Sequence, residues 1–95
     1  MLTHVVIFNW TAGTAAEKIE RLGKALDRMA LSVAGLSAMK HGPDLGVREG
    51  NGDYALVASF PDREAWAAYQ ADPTHKAFVR DHVAPILASR VTIQF

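Results

Sequence analysis

Tyr69 and His75 stand six positions apart across the turn Asp72-Pro73-Thr74, and they are the residue types best suited to moving a proton. Proline disfavours helix at the residue before it and suits the first turn of the helix after it. One helix is therefore expected to end near Tyr69 and another to begin at Pro73. His75 then lies in the opening turn of the second helix, where the positive end of the helix dipole opposes a further positive charge. An imidazole whose reference pKa is about 6.5, held neutral at cellular pH, is a suitable general base. Tyr69, closing the preceding helix, would bring its hydroxyl towards the same cavity. Each residue also has a plainer role open to it. His75 would merely fill a polar gap under a helix turn, and Tyr69 would be a core tyrosine with a satisfied hydroxyl.

Other polar side chains fall among apolar ones. His4 shares a strand face with Val6 and Phe8, and Tyr54 shares one with Leu56. With Leu22 and Leu26 from a first helix and Phe78 from a third, they form an apolar wall carrying a few polar points. Such a wall suits a small hydrophobic ligand that bears carbonyl or hydroxyl groups; it equally describes an ordinary core with polar rims. Metal chemistry is not expected. The chain has four histidines and no cysteine, and His75 and His82 are too far apart for the usual i, i+4 ligand pair. The lack of cysteine also removes disulfides and thiol nucleophiles. Gly50-Asn51-Gly52 reads as a turn rather than a phosphate loop, so no cofactor is expected either.

The totals narrow the partners. At 95 residues the chain is a single small domain, and its 49% hydrophobic content is high for that size. Short apolar chains often finish burying their surface against a second copy. Ten basic and ten acidic residues cancel, leaving no field to attract nucleic acid or a membrane surface. No apolar run approaches the roughly 20 residues that span a bilayer, and Met1-Leu2-Thr3-His4 lacks a basic leader, so a cytoplasmic location is expected.

The elements that must hold these groups can be read in order. His4 to Trp10 is a strand with apolar residues on both faces, which must therefore be covered twice. Thr14-Ala15-Ala16-Glu17 fits a capping box, and Ile19, Leu22, Leu26, Met29 and Val33 make the stripe of helix one. Gly35 closes that helix before a strand from Leu36 to His41. Pro43 to Asp53 reads as a long, mobile connection, followed by a strand from Asp53 to Phe60. Asp62 is a suitable N-cap for helix two, which places Ala65, Trp66 and Tyr69 together. Helix three carries His75, Phe78, Val79 and His82 until Pro85 ends or bends it. Val91 to Phe95 is the last strand. The order β-α-β-β-α-α-β is a split βαβ pattern: α+β, ferredoxin-like, a four-stranded antiparallel sheet with helices on one face.

Several segments together carry a family resemblance. His4-Val5-Val6-Ile7-Phe8, Ala34-Gly35-Leu36, Gly42 and Asp53-Tyr54-Ala55-Leu56-Val57 are four of them. Ala68-Tyr69 followed by Asp72-Pro73-Thr74-His75-Lys76-Ala77-Phe78 is the fifth and most specific. The chain resembles the stress-responsive dimeric α/β-barrel (Dabb) family over nearly its whole length. The resemblance implies a homodimer, a dimeric α+β barrel in which two sheets pack face to face, with Val5, Ile7, Val57 and Val91 towards the partner. In the polyketide cyclases of that family the aligned tyrosine and histidine act together. Carried over, His75 takes a proton from an acidic carbon while Tyr69 steadies the enolate or carbonyl, and His4 and Tyr54 position substrate. A cofactor-independent cyclase, aldol-type enzyme or isomerase follows. A non-catalytic stress-response or ligand-binding dimer and a cofactor-free monooxygenase are the alternatives. One departure stands out: Asp72 replaces the first histidine of the family's His-Pro-x-His, which keeps a helix cap but removes any role of that imidazole.

Overall fold

Period-two alternation decides which side of each strand is buried. In the computed structural model, which describes residues 1–95, β1 (Leu2–Trp10) buries His4, Val6, Phe8 and Trp10, and β3 (Tyr54–Phe60) buries Tyr54, Leu56, Ala58 and Phe60. These faces meet α1 (Ala16–Ser32), α2 (Arg63–Ala71) and α3 (Pro73–Phe78), with β2 (Ala38–Pro43) and β4 (Leu87–Gln94) completing the sheet. The order across the sheet is β2-β3-β1-β4 and every pair is antiparallel. This is the ferredoxin-like α+β fold.

The opposite face has no helix over it. The register aligns Val57, Val5 and Ile93 in one row and Ala55, Ile7 and Val91 in the next. Ile7, Val57, Val91 and Ile93 remain 37–65% exposed, a contiguous apolar surface of β-branched side chains. Isolated exposed apolar residues need no explanation, but a continuous patch of them marks an interaction surface.

Several boundaries differ from the sequence reading. β2 runs to Pro43 rather than stopping at His41, because His41, Gly42 and Pro43 continue the pairing onto Leu56, Ala55 and Tyr54; proline is tolerated there on an edge strand. β4 begins at Leu87, four residues before Val91, with a register shift between the Asn9–Ser89 and Trp10–Leu87 pairs. The capping box does not form. α1 starts at Ala16, so Thr14 lies too early to cap it and instead donates to the Thr11 carbonyl at 2.7 Å, while Glu17 pairs with Arg21. The Pro43–Asp53 connection is tied down rather than loose. Asp44 accepts from Gly46 N and from Asn51 Nδ2, each at 2.9 Å, and Asp53 accepts from Trp10 N at 2.8 Å.

Asp62 and Asp72 do cap α2 and α3, accepting from Ala65 N at 2.8 Å and Thr74 N at 2.7 Å. Beyond Phe78 the helix widens into a π-helical turn, Val79–Val83, closed by Ala84 N donating to the Val79 carbonyl at 2.8 Å. Such turns are rare and often lie at functional sites. Here the wider turn carries Val79 and Val83 over the sheet.

Candidate functional site

Between the helix-facing side of β1 and β4 and the α2–α3 corner lies a cavity of about 490 Å³. Val6, Phe8 and Leu56 form its floor, and Phe78, Val79 and Val83 close it from above. Its polar groups are His4, Trp66, Tyr69, Gln70 and His75, with Arg90, Thr92 and Gln94 along β4.

The corner places two of these groups against each other. Asp72 ends α2 and caps α3, so the chain turns sharply and stacks the last turn of one helix beside the first turn of the next. The Tyr69 and His75 ring centroids are 4.2 Å apart with the planes tilted by 44°. Tyr69 is only 1% exposed, and burial alone pushes its phenol up to about 12. It stays a hydroxyl, and therefore a donor, at any physiological pH. His75 is held below the ordinary imidazole value mainly by burial. The field of Arg90 adds to this, and the Gln70 backbone and the Asp72 carboxylate oppose it. Its Nδ1 is buried without a partner in hydrogen-bond geometry. Desolvation is thus the chief cause of the depressed value at His75.

His4 completes the polar end. The β1–β4 register sets it opposite Gln94, whose Nε2 lies 3.0 Å from His4 Nδ1. With the amide nitrogen donating, Nδ1 accepts and Nε2 carries the ring proton. Burial lowers the His4 pKa, and His75 and Arg90 lower it further. The His4 ring is 6.4 Å from Tyr69 and 6.0 Å from Trp66, whose buried Nε1 also has no partner. The site offers one neutral base, one permanent hydroxyl donor and a second neutral imidazole on an apolar floor.

Of the residues expected to share a pocket, His4, Val6, Phe8, Leu56, Tyr69, His75 and Phe78 come together. Leu22, Leu26 and Tyr54 do not. α1 lies towards the β2 side of the sheet, so Leu22 and Leu26 are wholly buried in the general core. Tyr54 belongs to a separate chain of hydrogen bonds. His41 Nδ1 is 2.7 Å from Tyr54 Oη and His41 Nε2 is 2.6 Å from Asp27 Oδ1. With the Asp27 carboxylate accepting from Nε2–H, Nδ1 accepts from the Tyr54 hydroxyl. Burial, and then the Asp27 charge, raises the Tyr54 pKa. Gly23 makes room for this network, since a Cβ there would stand 3.0 Å from Tyr54 Oη.

Sequence reasoning missed Arg90, Thr92 and Gln94. The signal existed, because they alternate with Val91, Ile93 and Phe95, but Arg90 fell outside the strand as first bounded. No cluster of three or more histidine or carboxylate side chains converges anywhere as a metal site. No helix is long and apolar enough to cross a membrane.

The model of the stress responsive A/B barrel domain family matches residues 2–95. No protein of curated function matches the sequence. Among solved structures, a dimeric ferredoxin-like protein of unknown function from Thermobifida fusca is 33% identical with a TM-score of 0.92, over 99% of this chain and 88% of that one. An Arabidopsis thaliana protein is 24% identical with a TM-score of 0.87, over 100% and 93% of the two chains. A hydroxynitrile lyase from Passiflora edulis is 15% identical with a TM-score of 0.86, over 99% and 90%. The last two likenesses are in fold alone.

Proposed function

Because the chain belongs to the stress-responsive A/B barrel domain family, we propose that it works as a homodimer in which each subunit carries a cofactor-independent proton-transfer site for a small, carbonyl-rich molecule. The observation that carries the reading is the Tyr69–His75 pair, 4.2 Å between rings, on the wall of an apolar cavity that keeps the imidazole neutral and the phenol protonated. His75 removes a proton from a carbon beside a carbonyl. The electron pair moves to the carbonyl oxygen, where the Tyr69 hydroxyl donates a hydrogen bond to the enolate. Attack of that enolate on a second carbonyl closes a ring, and the proton held by His75 passes to the new alkoxide. Return of the proton to a different carbon gives an isomer instead. Either route conserves every atom and needs no cofactor.

The dimer is supported by the uncovered apolar rows Val57–Val5–Ile93 and Ala55–Ile7–Val91 and by the dimeric Thermobifida fusca relative. A hydroxynitrile lyase on the same fold is compatible with enzymatic use of such a cavity.

Proton abstraction can be assayed without the natural substrate. Benzylacetone in heavy water exchanges the hydrogens beside its carbonyl, and proton NMR follows their loss. The protein should accelerate exchange, His75→Ala should return it to the buffer rate, and Tyr69→Phe should slow it about a hundredfold. Full acceleration by His75→Ala overturns the assignment. Binding without any acceleration would leave a ligand-holding dimer.

A further inference from the structure

We infer that the cavity takes a substrate with a carboxylate head on an apolar, carbonyl-bearing body, and that Arg90 receives the carboxylate. This rests on the cavity being the functional site and names the class of molecule it accepts.

The placement follows from β4. Arg90, Thr92 and Gln94 are alternate residues, paired with Phe8, Val6 and His4, so they project on the helix-facing side along the open edge of the sheet. Gln94 is engaged by His4, but Arg90 has no carboxylate partner. The ion pairs of the chain are Arg21–Glu17, His41–Asp27 and Arg80–Asp81. Among the residues lining the cavity there is no aspartate or glutamate, and Arg90 is the one permanent charge.

Arg90 also borders a second, outer cleft of about 300 Å³. That cleft shares His75, Gln70 and Val79 with the cavity and adds Lys76 and Arg80. The guanidinium therefore stands at the mouth between cleft and cavity. A molecule entering here meets Lys76 and Arg90 first, Arg80 being paired with Asp81, and an apolar floor behind them. A guanidinium fork matches a carboxylate with two parallel hydrogen bonds. A head group held there leaves the body of the ligand beside His75, whose protonation Arg90 already influences. A rim position, partly in water, gives roughly a tenfold preference for the anion.

Isothermal titration of hydrocinnamate and its neutral isostere hydrocinnamamide tests this. The native protein should bind the acid about tenfold more tightly than the amide. Arg90→Gln should erase the preference while keeping the affinity for the amide, and Arg90→Lys should restore part of it. Arg90 is solvent-exposed, so these variants should melt with the native protein, a control measured alongside. Equal binding of acid and amide by the native protein, or a preference that survives in Arg90→Gln, overturns the carboxylate assignment and leaves the cavity standing. Failure of both compounds to bind removes the cavity reading as well.

Discussion

Replacing Tyr69 by phenylalanine separates a working hydroxyl from a structural one. The ring is the larger part of the residue energetically. It is 1% exposed, with centroids 5.1 Å from Phe60 and 4.2 Å from His75, and phenylalanine keeps those contacts. Burial alone accounts for the raised phenol pKa, with no hydrogen bond or neighbouring charge contributing. Removing the hydroxyl therefore breaks no bond within the chain and relieves a desolvation cost of about 1–3 kcal/mol, part of which the open cavity already offsets. The variant should be as stable as the native protein or more stable by up to about 1 kcal/mol. For a domain of this size that is a rise in Tm of up to roughly 8 °C, measured at fixed protomer concentration. The same change should cost about a hundredfold in benzylacetone exchange, roughly 2.7 kcal/mol of transition-state stabilisation. A gain in stability with a loss of rate is the signature of a group kept for function. A Tm that falls by 8 °C or more would show that the hydroxyl is held by the fold, and unchanged exchange would remove it from the chemistry.

Three further outcomes follow from other parts of the structure. His4 and His75 both have depressed pKa values in the folded chain, so below about pH 6.5 the unfolded state binds more protons than the folded one. Stability should be fully present above that pH and should fall as pH drops towards 5.5, by at most about 1.4 kcal/mol per unit for each histidine and less for His75 beside the open cavity. Urea titrations that stay flat over this range refute the linkage, and His75→Gln should reduce the slope. Gly23→Ala should destabilise by up to about 2 kcal/mol, because the new methyl displaces the Tyr54 hydroxyl from His41. In a Tyr54→Phe background the same change should instead stabilise by up to about 1 kcal/mol through helix propensity. Sedimentation should show a dimer at micromolar concentration, and Val57→Glu, at one end of an apolar row, should give monomers. A native monomer would leave Ile7, Val57, Val91 and Ile93 facing water and contradict the proposed pair.

What could be read from the sequence was whatever repeats locally. The alternation of His4, Val6, Phe8 and Trp10 fixed the buried face of β1, and Asp62 and Asp72 announced two helix starts that their carboxylates do cap. The split βαβ order and the two-faced sheet came from the same patterns. Errors arose where one pattern has two structural outcomes. Thr14-Ala15-Ala16-Glu17 has the spacing of a capping box, but the helix begins one residue too late for Thr14 to reach its amides.

The stripe of helix one correctly marked Leu22 and Leu26 as buried. Periodicity tells which side of a helix is covered and not by what, so their place away from the cavity was invisible. The Asp27–His41–Tyr54 chain joins residues from α1, β2 and β3 and has no local signature. Leu87-Ala88-Ser89-Arg90 has weak strand propensity, which hid the first half of β4 and with it Arg90.

The reading of the cavity depends on an uncharged imidazole at position 75, and NMR can observe that directly. The ring signals of His75, assigned by their loss in His75→Gln, are to be followed in the native protein from pH 8 to pH 5. The midpoint should lie below the ordinary 6.5, so that the ring is mostly neutral at pH 7. A midpoint at 6.5 or above would mean that burial does not hold the proton off, and His75 would not be the base described.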